Sequence, residues 1–353
     1  MDKIRVLVAG CGHMGASHSR AYKAHSGFEI VGLVSRSPES RERLSEELGG
    51  LPTYANYEEA LKLAKPDAVS INTYPDSHAA YAKLALEHDC HVFVEKPLAT
   101  TVEGAASLVE LANSKNKKIV IGYILRVHPS WTKFVALAKT LGKPLVMRMN
   151  LNQQSSGDNW FTHKQIMQSM SPIVDCGVHY VDMMCLITEA SPIRVHAIGA
   201  RLTEEVDPEM YNYGHLHVVF DDGSVGWYEA GWGPMISETA FFVKDVIGPA
   251  GCVSISDKPP GDTDDVEGHT KTGGLLLHHA NLDSDGQFAK TDEYINTDEE
   301  PDHDGLCALE QEYFYNAIAG DLDVSQHMND AIRSLQIVLA ADQSIRSGRS
   351  IEI

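Results

Sequence analysis

The first third of the chain alternates short apolar runs with longer amphipathic stretches. The apolar runs are rich in β-branched residues, as strands are, and they lie at 4–9, 29–35, 68–73, 91–95 and 118–123. Each run is apolar almost throughout, which is the pattern of parallel strands buried on both faces. Helical periodicity fills the intervals, and Ser37-Pro38 is a typical N-cap followed by proline in the first turn. Repeated β–α alternation predicts a doubly wound parallel sheet in an α/β domain over 1–123.

Beyond about residue 124 polar and apolar positions alternate along short segments. This period of two is typical of antiparallel strands with one covered face, and it occurs at 144–152, 194–202, 216–232 and 252–256. Asp222-Gly223 predicts a hairpin turn inside the third segment. The polar, acidic stretch 257–304 is predicted to be a long excursion or flexible loop, followed by helices at 306–319 and about 326–347. A second, α/β domain is therefore predicted over 124–353.

Size and charge restrict the class of protein. A chain of 353 residues is too long for one ordinary domain and comfortable for two. Its formal net charge of −20 argues against nucleic-acid and anionic-membrane partners, which require a basic surface. No apolar run approaches the roughly 18 residues that span a bilayer. The N-terminus shows no signal-peptide pattern, so a cytoplasmic location is expected.

The cysteines suggest neither a disulfide framework nor a zinc site, because none of them forms a CxxC pair. They are predicted to be mostly small buried side chains in a reducing compartment, and they are Cys11, Cys90, Cys176, Cys185, Cys252 and Cys307.

A glycine motif directly follows the first predicted strand. Residues 10–15 have the sequence GCGHMG, with His13 and Met14 opening a predicted helix. Gly10 permits a tight turn, Gly12 lets a pyrophosphate approach the backbone, and Gly15 lets helix and strand pack closely. The positive end of the helix attracts phosphate. In the first strand–turn–helix of a β–α series, this motif predicts a dinucleotide site.

The end of the second predicted strand bears on the choice of cofactor. An acidic residue there would hold the adenosine ribose hydroxyls of NAD, but this chain has Ser35 and Arg36. A hydroxyl and a planar cation suit a 2′-phosphate or can stack on adenine. The charges favour NADP(H), and NAD(H) held through serine and backbone is the alternative.

The stretch SPIVDCGVHYVD (171–182) carries a second candidate for chemistry. Ser171 is a plausible N-cap and Pro172 lies in the first turn, so a helix is predicted. Asp175 and His179 are four residues apart and would share one face of that helix. This spacing fits a metal site, an acid–base pair or a simple helix ion pair. No His-Glu-x-x-His motif or cysteine cluster supplies a third ligand, so no metal is predicted.

Two further segments, NTYPDSH (72–78) and VEKPLA (94–99), complete a family pattern. Together with GCGHMG and VDCGVHYVD they make the chain resemble the glucose–fructose oxidoreductase / inositol dehydrogenase / rhizopine catabolism (Gfo/Idh/MocA) family over nearly its whole length. The resemblance implies a Rossmann domain followed by an α/β domain with a large open sheet, mostly antiparallel here. It also implies NAD(P)-dependent oxidation or reduction of sugars, cyclitols and related polyols.

The resemblance also implies roles for individual residues. Thr73, Pro75 and His78 would lie near the nicotinamide side of the cofactor, and Glu95, Lys96 and Pro97 match the family's Glu-Lys-Pro. Asp175 and His179 match its Asp-x-Gly-x-His. The chain departs from the pattern at Tyr74, where many members have proline, and in SMSPIVD, where members often have a Gly-rich segment.

Oxidation of an alcohol carbon removes a hydride and a proton, and the protein must accept the proton. His179 has a suitable ordinary pKa for this base. Lys96 can supply positive charge or a hydrogen bond to the same oxygen, and Asp175 can orient the imidazole or hold a substrate hydroxyl. Gly177, which lacks a side chain, is expected to let nicotinamide or substrate come close.

The second domain is expected to supply most of the substrate-binding wall. Arg126 follows the last Rossmann strand, and Asp158, Asn159 and Trp160 precede the predicted catalytic helix. Amides and carboxylates can bind hydroxyls, and an indole can stack on a sugar face or pack in the core. An open sheet with a wide apolar face predicts a homo-oligomer, a dimer or a tetramer.

Two other functions compete with a dehydrogenase. One is a glycosidase or epimerase that keeps its nicotinamide bound and oxidises the substrate only transiently. The other is a non-catalytic nucleotide-binding sensor, which would not need the lysine and histidine that are present here.

Overall fold

The computed structural model describes residues 3–237, 243–256, 273–297 and 300–353. The chain forms two compact units: Met1–Val127 with Pro301–Ile332, and His128–Glu300 with Arg333–Ile353. The first unit contains residues 1–123 together with the late segment 301–332, and the domain bounds of 1–123 and 124–353 stay a prediction. Among the described helices, none combines the length and apolarity required to cross a membrane.

The strands of the first unit are β1 Ile4–Ala9, β2 Phe28–Val34, β3 Thr53–Tyr54, β4 Ala68–Ile71, β5 His91–Val94 and β6 Ile119–Ile121. Within the described residues they form a six-stranded sheet in the order β3-β2-β1-β4-β5-β6, and every pairing is parallel. The predicted doubly wound sheet is confirmed. Its strand order reverses between β1 and β4, where open α/β sheets bind their ligands.

The strands of the second unit are β7 Val146–Gln154, β8 Pro192–Ala200, β9 Tyr213–Phe220, β10 Val225–Gly233, β11 Lys244–Gly248, β12 Gly251–Ser256, β13 Gly274–His279, β14 Glu293–Ile295 and β15 Ile351–Glu352. In the part of the chain that is described they form one sheet in the order β14-β13-β12-β11-β7-β10-β9-β8-β15. The pair β7–β10 is parallel and the other pairs are antiparallel. The predicted large, mostly antiparallel sheet is therefore confirmed.

The helices are α1 His13–Ala24, α2 Pro38–Glu47, α3 Tyr57–Ala64, α4 Pro75–Glu87, α5 Val102–Ser114, α6 Pro129–Ala138, α7 Gly157–Ile166, α8 Pro172–Asp175, α9 Gly177–Thr188, α10 His303–Ala319 and α11 Ser325–Ser347. Several begin as local chemistry dictates: Ser37 Oγ accepts the Ser40 N–H at 3.3 Å with Pro38 at the first position of α2. The predicted hairpin is present too, with Gly223 at φ +82° between β9 and β10.

The acidic stretch 257–304 differs from its predicted loop. Residues 274–279 form β13, in which Leu275 and Leu277 are buried and Leu276 is exposed. Their period-two pattern outweighs the acidic surroundings, because inward side chains gain burial at alternate positions. Further on, Asp302 caps α10 by accepting the Gly305 N–H at 2.9 Å. Residues 257–272 and 298–299 lie outside the described residues.

Candidate cofactor and catalytic site

The glycine turn lies between β1 and α1. Gly10 has φ +98°, a backbone conformation that side chains disfavour. A Cβ on Gly15 would lie 1.9 Å from the carbonyl oxygen of Gly10, whereas a Cβ on Gly12 would meet nothing within 4 Å. Gly10 therefore makes the turn, Gly15 lets helix and turn touch, and Gly12 borders open space.

The start of α1 suits a phosphate. Its N-cap is Gly12, and no side chain caps the helix there. His13 is exposed and Met14 half-buried in the first turn. Because helix N-terminal N–H groups and the helix dipole attract anions, a dinucleotide pyrophosphate fits this turn.

Two arginines lie near the end of β2, Arg36 just beyond the strand and Arg41 on α2. Arg36 is exposed and Ser35 half-buried, as a ribose-phosphate contact requires. Arg41, which the sequence analysis missed, donates from Nη1 to the carbonyl oxygen of Ser35 at 3.0 Å. Burial raises the pKa of the neighbouring Cys11 thiol to about 11 although the charge of Arg41 opposes the shift, so the thiol is protonated. Arg41 lies one helical turn after Ser37, and that spacing could have revealed it.

His78 ties the two family motifs of the first unit together. The ring is buried, with Nδ1 2.7 Å from the carbonyl oxygen of Pro97 and Nε2 2.9 Å from that of Thr73. A neutral ring can donate only one of these hydrogen bonds. The Thr73 hydroxyl accepts from Ser77 Oγ at 2.7 Å, and Pro75 opens α4. The loops that follow β4 and β5 are thus fixed to each other at the carboxyl edge of the sheet.

Glu95, the residue before Lys96, is held from several sides. Its Oε1 lies 2.7 Å from His18 Nε2, and its Oε2 accepts the Lys96 backbone N–H at 3.3 Å. Burial raises the pKa of Glu95, but the hydrogen bond from His18 and the charge of Lys96 act against burial, and the pKa lies below its ordinary value. Glu95 is therefore an anion beside Lys96.

One group of side chains in the first unit has the composition of a metal site. In the described residues, potential ligand atoms of His18, Cys307 and Glu310 lie within 4.8 Å of one another. Both ring nitrogens of His18 already contact protein groups, Glu95 at 2.7 Å and Gln311 at 2.9 Å. Burial and the charge of Glu95 raise the pKa of Glu310 well above its ordinary value, so its carboxyl is protonated. Because both ring nitrogens of His18 are engaged by protein groups, this cluster is not assigned to a metal.

In the second unit, the predicted helix over 171–182 begins as expected but is interrupted. Ser171 Oγ accepts the Val174 N–H at 3.2 Å, and Pro172 takes the first position. The helix breaks at Cys176, so Asp175 ends α8 and His179 lies in the first turn of α9.

The space beside Gly177 is filled by the protein. A Cβ on Gly177 would lie 2.9 Å from Tyr228 Cε1 and 3.6 Å from Val338 Cγ1. The expectation that Gly177 admits nicotinamide or substrate is therefore wrong; the glycine admits the Tyr228 ring.

A buried polar network anchors the start of α8. Ser171 Oγ donates to Asp342 Oδ1 at 2.8 Å, and the Tyr211 hydroxyl lies 2.8 Å from Ser171 Oγ. Arg346 Nη2 donates to Asp342 Oδ2 at 3.2 Å from the same helix, α11. The segment that ends in Asp175 is thereby fixed at its first residue.

The predicted substrate residues have different surroundings. Asp158 and Asn159 are exposed on α7, while Trp160 is buried in a cluster with Met167 and Trp232. Packing therefore accounts for Trp160, as the alternative foresaw. Arg126 belongs to the first unit, where its Nη2 donates to the buried Asp330 at 2.9 Å. A substrate role for these four residues stays a prediction.

His163 is a further residue that the sequence analysis missed. Its ring stacks on Trp232 with centroids 4.3 Å apart and planes at 8°, and Nδ1 lies 3.0 Å from Ser155 Oγ. Burial lowers the pKa of His163 to about 4, and the charge of Asp175 opposes the shift. The sequence signal that could have identified His163 is its position three residues after Trp160 on α7.

We expect the protein to lose stability in acid because of His163. The unfolded chain protonates this ring near pH 6.5, but the folded protein does so only near pH 4. The stabilisation that the neutral His163 ring contributes is therefore complete above pH 6.5 and is lost as the pH falls towards 4. By about pH 5 the free energy of unfolding has fallen by an amount on the order of 2 kcal/mol. Urea unfolding at about pH 7.5 and about pH 5 measures the loss. His163→Gln should reduce it and the exposed control His88→Gln should not; an unchanged loss in His163→Gln would contradict the assignment.

Comparison with known proteins adds independent findings. A family model described as oxidoreductase family, NAD-binding Rossmann fold, matches residues 4–123, and a GFO/IDH/MocA C-terminal domain model matches 134–240. The chain is 30% identical over 208 residues to UDP-N-acetylglucosamine 3-dehydrogenase of Acidithiobacillus ferrooxidans, covering 59% of this chain and 62% of that protein. It is 26% identical to an inositol 2-dehydrogenase/D-chiro-inositol 3-dehydrogenase of Lacticaseibacillus casei, covering 58% and 59%. The chain thus spans about three fifths of the length of these two relatives.

Solved structures agree in fold. Scyllo-inositol dehydrogenase of Lactobacillus casei, with bound NAD(H) and scyllo-inositol, superposes with a TM-score of 0.78 at 18% identity, covering 99% of both chains. A structure of the Acidithiobacillus enzyme gives 0.76 at 22% identity, covering 98% of this chain and 99% of that one. At such identities the likeness establishes the fold.

Proposed function

Because the chain belongs to the Gfo/Idh/MocA oxidoreductase family, we propose that it is a nicotinamide-dependent dehydrogenase acting on a sugar, cyclitol or related polyol. One observation carries the proposal. Lys96 follows β5 at the same sheet edge at which the glycine turn follows β1. The neighbouring Glu95 side chain is a carboxylate anion. A dinucleotide bound at the turn and a cation at the same edge are the components of alcohol oxidation.

The protein groups have separate tasks in this proposal. The bound nicotinamide supplies the hydride acceptor or donor. Lys96 places its ammonium group on the substrate oxygen and stabilises the charge that develops when the proton leaves. His179 accepts that proton, and Asp175 orients the imidazole or holds a neighbouring hydroxyl.

The names of the relatives narrow the substrate class. They specify oxidation at position 3 of a UDP-sugar and at position 2 or 3 of an inositol. We propose a ring secondary hydroxyl as the group oxidised here. The exposed Asp158 and Asn159 on α7 are proposed to bind the neighbouring hydroxyls.

The proposal is tested by offering a panel of sugars, nucleotide sugars and inositols with NAD or NADP, and following the reduced-nicotinamide absorbance. Turnover with at least one ring polyol is expected. Tight cofactor binding without turnover on any of them, or product formed without net cofactor reduction, would contradict the proposal and favour the sensor or the redox-neutral enzyme.

NADP(H) is the proposed cofactor, with NAD(H) as the alternative. Arg36 lies just beyond the end of β2, where NAD-specific proteins carry a carboxylate, and Arg41 on α2 donates to the Ser35 carbonyl oxygen there. Arg36→Ala is expected to weaken NADP binding about tenfold and to leave NAD binding nearly unchanged, because only the 2′-phosphate needs the cation. Fluorescence titration with both cofactors measures the effect, and Arg43→Ala, exposed on α2, is the control. Equal losses for both cofactors would contradict the proposal.

A homo-oligomer is proposed from the open face of the second-unit sheet. The exposed apolar side chains on its strands include Val146, Ile198, Val225, Ile247 and Leu276. Light scattering coupled to size-exclusion chromatography tests this, and a monomer at micromolar concentration would contradict it. The cytoplasmic location stays a prediction.

A further inference from the structure

Helix α10 brings a buried amide into the nucleotide-binding unit. It packs on α1, and Gln311 Nε2 donates to His18 Nδ1 at 2.9 Å. Neither Gln311 nor His18 is exposed to solvent. Residues 301–332 therefore contribute a hydrogen bond to α1, the helix that follows the glycine turn, from a residue 293 positions away in sequence.

This hydrogen bond fixes which ring nitrogen of His18 acts as the acceptor. Since Nδ1 accepts from Gln311, the proton of a neutral ring resides on Nε2. Nε2 then donates to Glu95 Oε1 at 2.7 Å. Each hydrogen bond in this series is therefore donated towards Glu95: Gln311 donates to His18, and His18 donates to the Glu95 carboxylate.

Only one of the two neighbouring carboxyl groups is charged. Glu310 is 3% exposed, and burial together with the charge of Glu95 raises its pKa well above the ordinary value. Glu310 is therefore a neutral acid. The titratable groups around Glu95 are His18 on α1, Lys96 after β5 and His78 on α4. Tyr22 on α1 and Glu310 on α10 respond to its charge.

The carboxylate of Glu95 has little room to move. A Cβ on Gly122, which follows β6, would lie 3.2 Å from its Cδ and both oxygens. Its second oxygen accepts the Lys96 N–H at 3.3 Å. The negative charge is thus confined between the end of β6 and the backbone of Lys96.

We propose that Gln311 and His18 are positioning residues for Lys96: by directing one hydrogen bond onto Glu95, they keep a single fixed anion beside the Lys96 ammonium group. The anion stabilises the charged amine, and its fixed position limits where the amine can lie. The inference rests on the proposed function, in which that ammonium group contacts the substrate oxygen.

A test that does not need turnover is nitrogen NMR of the full-length protein labelled with ¹⁵N-histidine. The His18 signals are identified by their loss in His18→Gln. In the wild type they should report a ring protonated at Nε2 alone, and Glu310→Gln should leave them so. Gln311→Glu replaces the donor by an acceptor and should produce a doubly protonated ring. A wild-type ring protonated at Nδ1, or at both nitrogens, would overturn the proposal.

Kinetics then test the effect on Lys96. Gln311→Met should lower kcat about tenfold with cofactor affinity unchanged within twofold, and should move the alkaline limb of the kcat–pH profile down by about one pH unit. Glu95→Gln should shift the kcat–pH profile as Gln311→Met does. Glu310→Gln is the matched control, because it makes the same substitution at the neutral neighbouring carboxyl group, and it should keep the wild-type profile. A merely structural role would lower Tm or cofactor affinity and leave the profile in place, which would overturn the proposal. If Gln311→Met does not fold, Gln311→Asn and Glu95→Gln supply the same readout.

The two hypotheses fail in different ways. No turnover by the wild type on any polyol would refute the proposed function, and the NMR result would still decide the hydrogen-bond direction. Turnover with an unshifted profile in Glu95→Gln would refute the positioning role alone.

Discussion

Lys96→Met is expected to lower kcat for polyol oxidation by a factor of about 10²–10⁴. The substitution keeps most of the volume of the side chain and removes the charge that Glu95 faces. Cofactor affinity should change little, because the glycine turn that is proposed to bind pyrophosphate is intact. Steady-state kinetics and a cofactor titration measure the two effects separately. Lys83→Met, on the exposed face of α4, is the control and should retain full activity.

The same experiment can be extended to His179, the proposed proton acceptor. His179→Asn alone should also lower kcat by a factor of about 10²–10⁴. If both groups act on one substrate oxygen, the double variant should be little worse than either single variant, because the effects of groups that act together are not additive. Multiplicative losses would place the two groups in separate steps. A Lys96→Met enzyme within threefold of wild type would refute the assignment of the ammonium group.

Gly15→Ala is expected to destabilise the protein by about 3 kcal/mol or more. Its Cβ would lie 1.9 Å from the carbonyl oxygen of Gly10 and 2.8 Å from the carbonyl carbon. Both are backbone atoms that cannot rotate away, so the glycine turn must open and cofactor affinity must fall with stability. Urea unfolding and a cofactor titration measure the two losses.

Gly12→Ala is the matched control for this substitution. Nothing lies within 4 Å of the added Cβ, so unfolding should be nearly unchanged. Cofactor binding should still weaken at least tenfold, because the methyl group occupies the space through which pyrophosphate approaches. Equal stability of Gly15→Ala and the wild type would contradict the close packing, and unimpaired binding by Gly12→Ala would place the phosphate elsewhere.

Local patterns were sufficient for much of the fold. Apolar runs bounded by helical stretches predict the parallel sheet, because each strand needs two covered faces. The turns at Gly10 and Gly223, and the caps at Ser37 and Ser171, follow from the chemistry of a few adjacent residues. At β13 the acidic composition predicts a loop, but the burial of Leu275 and Leu277 stabilises a strand.

By itself, then, the sequence determined the elements, the family pattern and the residue types available for chemistry, since these depend on neighbours along the chain. Tertiary structure alone decided that α10 joins the nucleotide-binding unit and that Gln311 and His18 support Glu95. It also decided that His163 stacks on Trp232 and that Tyr228 occupies the space beside Gly177. Each of these contacts joins residues far apart in sequence, and only the packing of helices and strands against one another selects which distant side chains meet.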